Sequence, residues 1–147
     1  MTGSLIKTFL NLSPLIKVFI SGIISPKSNS GKIIQEWSNN SIELVTSAPL
    51  LAEIKQVLQY PKILKLTNWN NQKIEEFVDY LHFFSTTVDI SDTNYHFDQD
   101  PNDNHIIETY IAGNAEYLIT GDKALFSLKD EINVIALTAF IARYYLT

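Results

Sequence analysis

Short apolar runs alternate along the chain with longer segments in which apolar residues recur every three or four positions. The short runs are rich in β-branched residues and predict strands at residues 15–20, 42–46, 116–120 and 132–137. The longer segments predict helices at residues 32–38, 49–59, 71–84, 101–112 and 138–145. Strands that alternate with helices indicate an α/β fold built on a parallel sheet.

Two of the predicted helices have marked boundaries. Ser47 with Pro49, and Asp100 with Pro101, place a side-chain acceptor just before a proline that lacks an N–H. Gly113 or Asn114 ends the helix that follows Asp100. The segment 1–14 is atypical, because residues 7–12 alternate like a strand whereas residues 4–12 also fit an amphipathic helix.

The composition is that of a packed globular protein, with 46% hydrophobic and 18% charged residues among 147. We expect a single domain over residues 1–147. The absence of cysteine excludes disulfides, thiolate zinc sites and a cysteine nucleophile, and it fits a cytoplasmic protein. Lys7 and Lys17 interrupt the apolar N-terminus, and no run approaches the ~20 apolar residues of a membrane span, so we expect no membrane partner.

The formal net charge of -5 argues against a broadly basic surface for nucleic acid, but the acidic residues are unevenly spread. Residues 1–35 contain no Asp or Glu, and ten of the sixteen acids lie between Asp89 and Glu131. The carboxylates are therefore concentrated in the part of the chain where the later strands and helices are predicted.

Four of these carboxylates are candidates for a site. Glu53 falls at the edge of the apolar stripe of its helix, Asp100 and Asp103 lie at a helix start, and Asp122 follows a buried-looking strand. Each also has an ordinary structural interpretation: a solvated helix flank for Glu53, helix capping for Asp100 and Asp103, and a turn for Asp122.

Clustered carboxylates without cysteine suit Mg²⁺ or Mn²⁺, which prefer oxygen ligands and serve phosphodiester chemistry. The histidines His82, His96 and His105 share no metal-ligand spacing, so the sequence assigns them no chemistry. No phosphate-binding loop, dinucleotide fingerprint or nucleophile elbow is present.

Three blocks of sequence, in order and suitably spaced, resemble the PIN-domain (PilT N-terminus) family of bacterial toxins. They are residues 45–54 (VTSAPLLAEI) with 60–63 (YPKI), residues 100–104 (DPNDN) and residues 113–123 (GNAEYLITGDK). The resemblance extends over roughly residues 18–140. It implies a three-layer α/β/α domain with a central parallel sheet flanked by helices.

The resemblance also implies a function. Proteins of this type resemble VapC-type toxins, which are Mg²⁺-dependent endoribonucleases, are neutralised by a cognate antitoxin protein and are often homodimers. Glu53, Asp103 and Asp122 match the catalytic metal-site acids, with Asp100 nearby as a metal ligand and Thr120 as a supporting hydroxyl. The expected cofactor is Mg²⁺ or Mn²⁺, and the expected substrate is RNA.

The family's first block, Asp-Thr-Asn at the end of strand one, is missing. Alignment places Leu15, Ile16 and Lys17 over it, and Asn11 and Ser13 are the nearest polar substitutes. Loss of this carboxylate predicts weak metal binding and little turnover. A displaced reading frame or an altered start would produce the same pattern as genuine divergence.

Three hypotheses follow for the function. The first is a weakened metal-dependent ribonuclease of toxin type. The second is a catalytically inactive PIN domain that binds an antitoxin, RNA or itself. The third is an unrelated α/β domain in which the acids only cap helices and form turns.

Overall fold

The computed structural model describes residues 6–10, 25, 27–92, 104–120, 123–128 and 130–146, and elements are numbered in chain order within these ranges. The strands are β1 Ile6–Leu10, β2 Ile42–Ser47, β3 Thr86–Val88, β4 Tyr117–Ile119 and β5 Val134–Ile135. The helices are α1 Asn29–Ser38, α2 Ala48–Leu58, α3 Pro61–Thr67, α4 Asn71–Phe83, α5 Asn104–Ala112, α6 Lys123–Phe126 and α7 Leu137–Leu146.

The five strands form one parallel sheet in the order β3-β2-β1-β4-β5. In the centre, Phe9 of β1 pairs with Val45 of β2 on one side and with Leu118 of β4 on the other. Part of the atypical segment 1–14 is therefore the central strand, which settles its interpretation in favour of a strand over residues 6–10. The strand predicted at residues 15–20 lies outside the described residues.

Helices cover both faces of the sheet. Five of the six β2 residues are buried, and adjacent residues of a strand point to opposite faces. Ser47 contacts α5, and Val45 contacts Gly113 directly after it. Helix α1 also contacts β2, and it packs against α7. On the α5 side, α2 packs against both α4 and α5. The predicted α/β/α architecture with a central parallel sheet is confirmed.

The core contains aliphatic residues of β2, β4, α2 and α5, and the other described helices also contribute buried residues to it. Val45, Leu50, Ile54, Ile107 and Leu118 are completely buried. Burying each of these side chains contributes about 1.5–3 kcal/mol, so the sheet and its two helix layers are held mainly by apolar packing. The exposed Lys55–Glu75 ion pair, which joins α2 to α4, contributes at most about 1 kcal/mol.

Asparagine rather than glycine ends three helices. Asn40, Asn68 and Asn114, which follow α1, α3 and α5, have φ values of 62°, 55° and 50°. After α5, the N–H of Ala115 donates to the carbonyl of Tyr110, and the N–H of Asn114 donates to that of Ile111, which satisfies carbonyls at the helix end. Of the two residues predicted to end this helix, Asn114 has the left-handed conformation.

Gly113 has a different role beside Asn114. A Cβ atom added to it would lie 2.2 Å from Cγ1 of Val45, a distance that real contacts do not reach. The glycine therefore lets the end of α5 pack directly on the centre of β2.

None of the described helices is long and apolar enough to cross a bilayer.

Candidate active site

A cleft opens where β2 and β3 end and where α2 and α5 begin. Its volume is about 600 Å³, and its wall contains Ala48, Pro49, Thr87, Val88, Asp89, Ile90, Ser91, His105 and Glu108. Open parallel sheets bind ligands at the carboxyl ends of their strands, and pockets of ~300–1,000 Å³ are typical of ligand sites. The cleft therefore has the position and size of a functional site.

Glu53, on α2, is not one of the wall residues of this cleft. The helix buries Leu50, Leu51, Ile54 and Leu58, and the spacing of these residues leaves Glu53 at the edge of the buried face, with its side chain 39% exposed. Its carboxylate contacts Nε2 of His105, from the first turn of α5. This nitrogen is buried and makes no hydrogen bond within the described part of the chain.

A chain of hydroxyl hydrogen bonds fixes the first turns of α5 to the end of β2. Oγ1 of Thr109 donates to the carbonyl of His105 at 2.7 Å, and Oγ of Ser47 lies 2.7 Å from the same hydroxyl. A hydroxyl has one proton, so Ser47 donates to Thr109. Both side chains are buried, and their bonds hold the backbone of His105 in position relative to β2 and α2.

Two further acids line the cleft, Asp89 and Glu108. The N–H of Ser91 donates to Oδ1 of Asp89 at 2.9 Å, and this bond, with a second from the Ser91 side chain, lowers the pKa of the Asp89 carboxyl. Asp89 is therefore ionised over a wider pH range than an ordinary aspartate. The acids give this edge of the sheet a negative charge.

Two threonines lie near the carboxyl ends of the central strands. Thr120, the predicted supporting hydroxyl, follows β4 and is buried, and its N–H donates to the carbonyl of Ile135 at 3.0 Å. Thr46, near the end of β2, is also buried, and its Oγ1 has no hydrogen-bond partner in the described part of the chain. A buried hydroxyl without a partner is unfavourable unless a ligand or water satisfies it.

The other predicted site residues, Asp100, Asp103 and Asp122, lie outside the described residues, as does Leu15. The first strand ends at Leu10, so the residue that follows it in the chain is Asn11, which is also outside the described residues. Within the described ranges, no group of three or more histidines and acids could hold a metal ion. Of the predicted metal-site acids, the structure describes Glu53 alone.

The one predicted metal-site acid within the described residues fits a hard divalent cation in its chemistry. Glu53 offers carboxylate oxygens at a partly exposed position. These are ligand types that Mg²⁺ and Mn²⁺ prefer.

Sequence reasoning missed three residues of this region: His105, Asp89 and Glu108. The sequence assigns His105 no chemistry, because the three histidines share no metal-ligand spacing. Its contact with Glu53 crosses from α5 to α2, and only the packing of these two helices reveals it. Asp89 and Glu108 belong to the acid-rich part of the sequence, which was the available signal for them.

Comparison with known proteins places this architecture in a family. The sequence profile of the PIN domain matches residues 17–124, a range that includes Glu53, Asp100, Asp103, Thr120 and Asp122 but neither β1 nor Leu15. The chain is 35% identical to the uncharacterized protein MJ1680 of Methanocaldococcus jannaschii over 115 residues, which cover 78% of this chain and 72% of that protein. No solved structure gives a significant match.

PIN domains are a nuclease type of α/β domain and generally bind divalent metal ions, so a nuclease-like function is indicated in general terms. The match covers well over half of the sequence, and the parallel sheet between two helix layers has the expected architecture. The chain therefore belongs to the PIN domain family.

Proposed function

We propose that this protein is a divalent-metal-dependent endoribonuclease of the VapC toxin type whose activity is weakened by loss of the family's first aspartate. The observation that supports this most directly is the contact between Glu53 and His105. Glu53 belongs to the second sequence block of the family, and His105 directly follows the third block, residues 100–104. The contact shows that α2 and the start of α5 meet beside the cleft.

In this proposal Glu53, Asp103 and Asp122 hold Mg²⁺ or Mn²⁺, with Asp100 nearby and Thr120 in support. Asp103 is two residues before His105 in the chain, and Asp122 is two residues after Thr120. When bound, the ion supplies electrostatic stabilisation of the negative charge that develops on the phosphate and the leaving oxygen. The protein residues hold the carboxylates together, and the hydroxyl chain from Ser47 to His105 keeps the start of α5 in place.

The weakening follows from the first strand. In a parallel sheet the end of the central strand adjoins the site, and here β1 ends at Leu10 and is followed by Asn11. The side chain of Asn11 is an uncharged amide. Leu15, which aligns with the family's first aspartate, is also uncharged. Whichever residue occupies the position, residues 1–35 supply no carboxylate, so one charge-assisted ligand of the ion is lost.

The experiment is cleavage of a mixed RNA pool with Mg²⁺ or Mn²⁺ by the parent and by variants. We expect slow cleavage by the parent and a loss of about 100-fold or more in Glu53→Gln and Asp103→Asn, because each removes a charge that offsets the ion. Asn11→Asp or Leu15→Asp should raise the rate, and the variant that does so identifies the position of the missing aspartate. Glu116→Gln is the matched control, because Glu116 is an exposed acid just before β4, at the end of the strand opposite its carboxyl end.

The second candidate function is an inactive PIN domain that acts by binding, and the missing carboxylate favours it. No cleavage by the parent, with cleavage gained in Asn11→Asp or Leu15→Asp, would assign this function. Cleavage that persists unchanged in both Glu53→Gln and Asp103→Asn would overturn the proposed site. A rise in melting temperature on adding Mn²⁺, absent in Glu53→Gln, reports metal binding independently of cleavage.

The proposal includes a cognate antitoxin protein, a homodimer and a cytoplasmic location, all of which rest on the family resemblance. Co-expression with the product of an adjacent small gene tests the antitoxin. A stable complex that suppresses RNA cleavage is the expected result, and free, fully active protein in the presence of that product would remove the antitoxin from the proposal.

A further inference from the structure

The cleft at the ends of β2 and β3 combines apolar walls with hydrogen-bond acceptors. Pro49, Val88 and Ile90 supply apolar surface, and the acids Asp89 and Glu108 line the same space. Its volume of about 600 Å³ lies within the ~300–1,000 Å³ of typical small-ligand sites. A flat ring with polar groups along one edge matches this combination, because its faces can contact the apolar walls while its edge reaches a carboxylate.

The charge of the cleft disfavours a phosphate group as its occupant. Among its described residues the wall contains two acids and neither lysine nor arginine, so it repels a polyanion. The hydrogen bond from the Ser91 N–H lowers the pKa of the Asp89 carboxyl, so the repulsion persists to a lower pH than for an ordinary aspartate. The bases are the flat, uncharged parts of an RNA strand, and a base therefore fits this cleft better than the backbone does.

The carboxylate of Asp89 is held by its neighbour in the chain. The backbone N–H of Ser91 donates to Oδ1 of Asp89 at 2.9 Å, and the Ser91 side chain makes a second bond to the same carboxylate. A carboxylate has about four lone-pair positions, so these two bonds leave room for further donors. Because the ionised group is an acceptor only, a ligand has to bring the donors.

Guanine is the RNA base that meets this requirement best. Its Watson–Crick edge presents two adjacent donors, N1–H and the N2 amino group, which can bond to the two oxygens of one carboxylate. Adenine and cytosine present one amino donor beside a ring acceptor, and uracil has a single donor between two carbonyl oxygens. An acceptor placed against a carboxylate is repelled, so these three bases bind less favourably.

The cleft adjoins the residues of the proposed nuclease site. His105 lines the cleft, and its Nε2 contacts the carboxylate of Glu53, the predicted metal-site acid on α2. The backbone of His105 is fixed through Thr109 and Ser47. A base held in the cleft would therefore bring the phosphate next to it in the strand toward Glu53.

We infer that the cleft lined by Pro49, Val88, Asp89, Ile90, His105 and Glu108 is a guanine-binding subsite that selects the nucleotide next to the cleaved phosphate in single-stranded RNA. Asp89 accepts hydrogen bonds from N1–H and from the N2 amino group of the base, and Glu108 adds negative charge that disfavours a phosphate there. The inference rests on the proposed ribonuclease function for its substrate, but base recognition by the cleft can be measured without metal and without cleavage.

The first test is binding of nucleosides to the full chain without metal, followed by saturation-transfer NMR. We expect guanosine to bind about tenfold more tightly than uridine, and inosine, which lacks the N2 amino group, to have an intermediate affinity. Asp89→Asn should abolish the preference, because Oδ1 of the asparagine still accepts from Ser91 whereas its NH₂ group opposes the guanine donors. Glu116→Gln, at an exposed acid just before β4, is the matched control and should keep the preference.

The second test is the sequence of the cleaved ends in a randomised single-stranded RNA pool. The parent should cleave next to guanine about tenfold more often than next to uracil. Asp89→Asn should shift cleavage toward adenine and cytosine, whose edges pair a donor with an acceptor as an amide does. A merely structural role of Asp89 would instead lower cleavage at all sequences alike, and circular dichroism checks that each variant is folded.

Failure of the inference and failure of the proposed nuclease give different results. Cleavage without guanine preference, or a preference unchanged in Asp89→Asn, would overturn the guanine subsite and leave the nuclease in place. Guanosine binding that depends on Asp89, in a parent that cleaves nothing, would support the subsite and overturn the nuclease. Equal binding of guanosine and uridine would overturn the subsite whatever the cleavage result.

Two further ligands, also tested without metal, separate the sources of the bound group. GTP should bind more weakly than guanosine, because the acids repel its phosphates. Tighter binding of GTP would assign the guanine to a free nucleotide and overturn its place in RNA. The guanidinium of N-acetylarginine amide also matches a carboxylate. If this compound binds more tightly than guanosine, the cleft takes an arginine of a protein partner and the inference is overturned.

Discussion

Helices α2 and α4 have similar lengths and pack against each other, but they differ in how much of their surface the fold uses. α2 buries four residues, including Leu50 and Ile54, which are completely inaccessible, and directs a partly exposed Glu53 toward α5. α4 buries two, Ile74 and Leu81, and turns aromatic side chains outward.

The difference separates two uses of apolar residues. On α2, apolar burial stabilises the domain and fixes a carboxylate beside the start of α5. On α4, the exposed rings add little to the stability of a single chain, because water still surrounds much of their surface. Substitutions on the exposed face of α4 should therefore change the stability of the domain less than substitutions on the buried face of α2.

The largest expected effect is on the buried face of α2. Ile54→Ala should reduce the free energy of unfolding by about 2–5 kcal/mol, because it removes apolar contacts and leaves a cavity in the core. Phe83→Ser on α4 should change the free energy of unfolding, measured by urea denaturation, by less than about 0.5 kcal/mol. Equal losses in the two variants would remove the distinction between the helices.

A smaller effect is expected from the hydroxyl chain beside α2. Thr109→Val keeps the shape of the side chain but leaves the buried Ser47 hydroxyl without its acceptor, which should cost about 1–3 kcal/mol. The double variant Ser47→Ala with Thr109→Val should cost less than the sum of the single variants, since no donor is then left unsatisfied. Additive losses in urea denaturation would show that the two hydroxyls act independently.

The smallest effect concerns how the two helices begin. Oδ1 of Asn70 accepts a hydrogen bond from the N–H of Lys73 at 2.8 Å and caps α4, whereas α2 begins without a side-chain cap. Asn70→Ala should therefore destabilise the protein by about 1 kcal/mol. Asn70→Asp is the control, because it retains the acceptor, and thermal unfolding that ranks Asp with Ala would rule out the capping role.

The fold could be predicted where periodic segments are long. Four of the predicted helices correspond to α1, α2, α4 and α7, and the helix predicted at residues 101–112 is confirmed from Asn104 onward. β3 was missed because it has three residues at the exposed edge of the sheet, and α3 because its seven residues bury only Ile63. β1 fitted both strand and helix patterns locally, and its pairing with β2 and β4 decides between them.

The site could be predicted only in part. The apolar stripe of α2 indicates that Glu53 borders the core, and the family resemblance gives it a role. The contacts of His105 depend on the packing of α5 against α2 and on the hydrogen bond between Ser47 and Thr109. Both join residues that are far apart in the chain. Nothing in local periodicity reports such contacts, so the cleft wall formed by Asp89 and Glu108 was not predicted.

The central position of β1 also has a consequence for how the chain folds. Leu10 pairs with Ile119, and these residues are separated by most of the length of the chain. During synthesis, β1 leaves the ribosome long before β4 is made. The edge of β1 that pairs with β4 therefore stays unpaired while the segments of α1 to α5 are synthesised. Parallel pairing between such distant segments closes a long loop, so we expect the joining of β4 to β1 to be a late and slow step of folding.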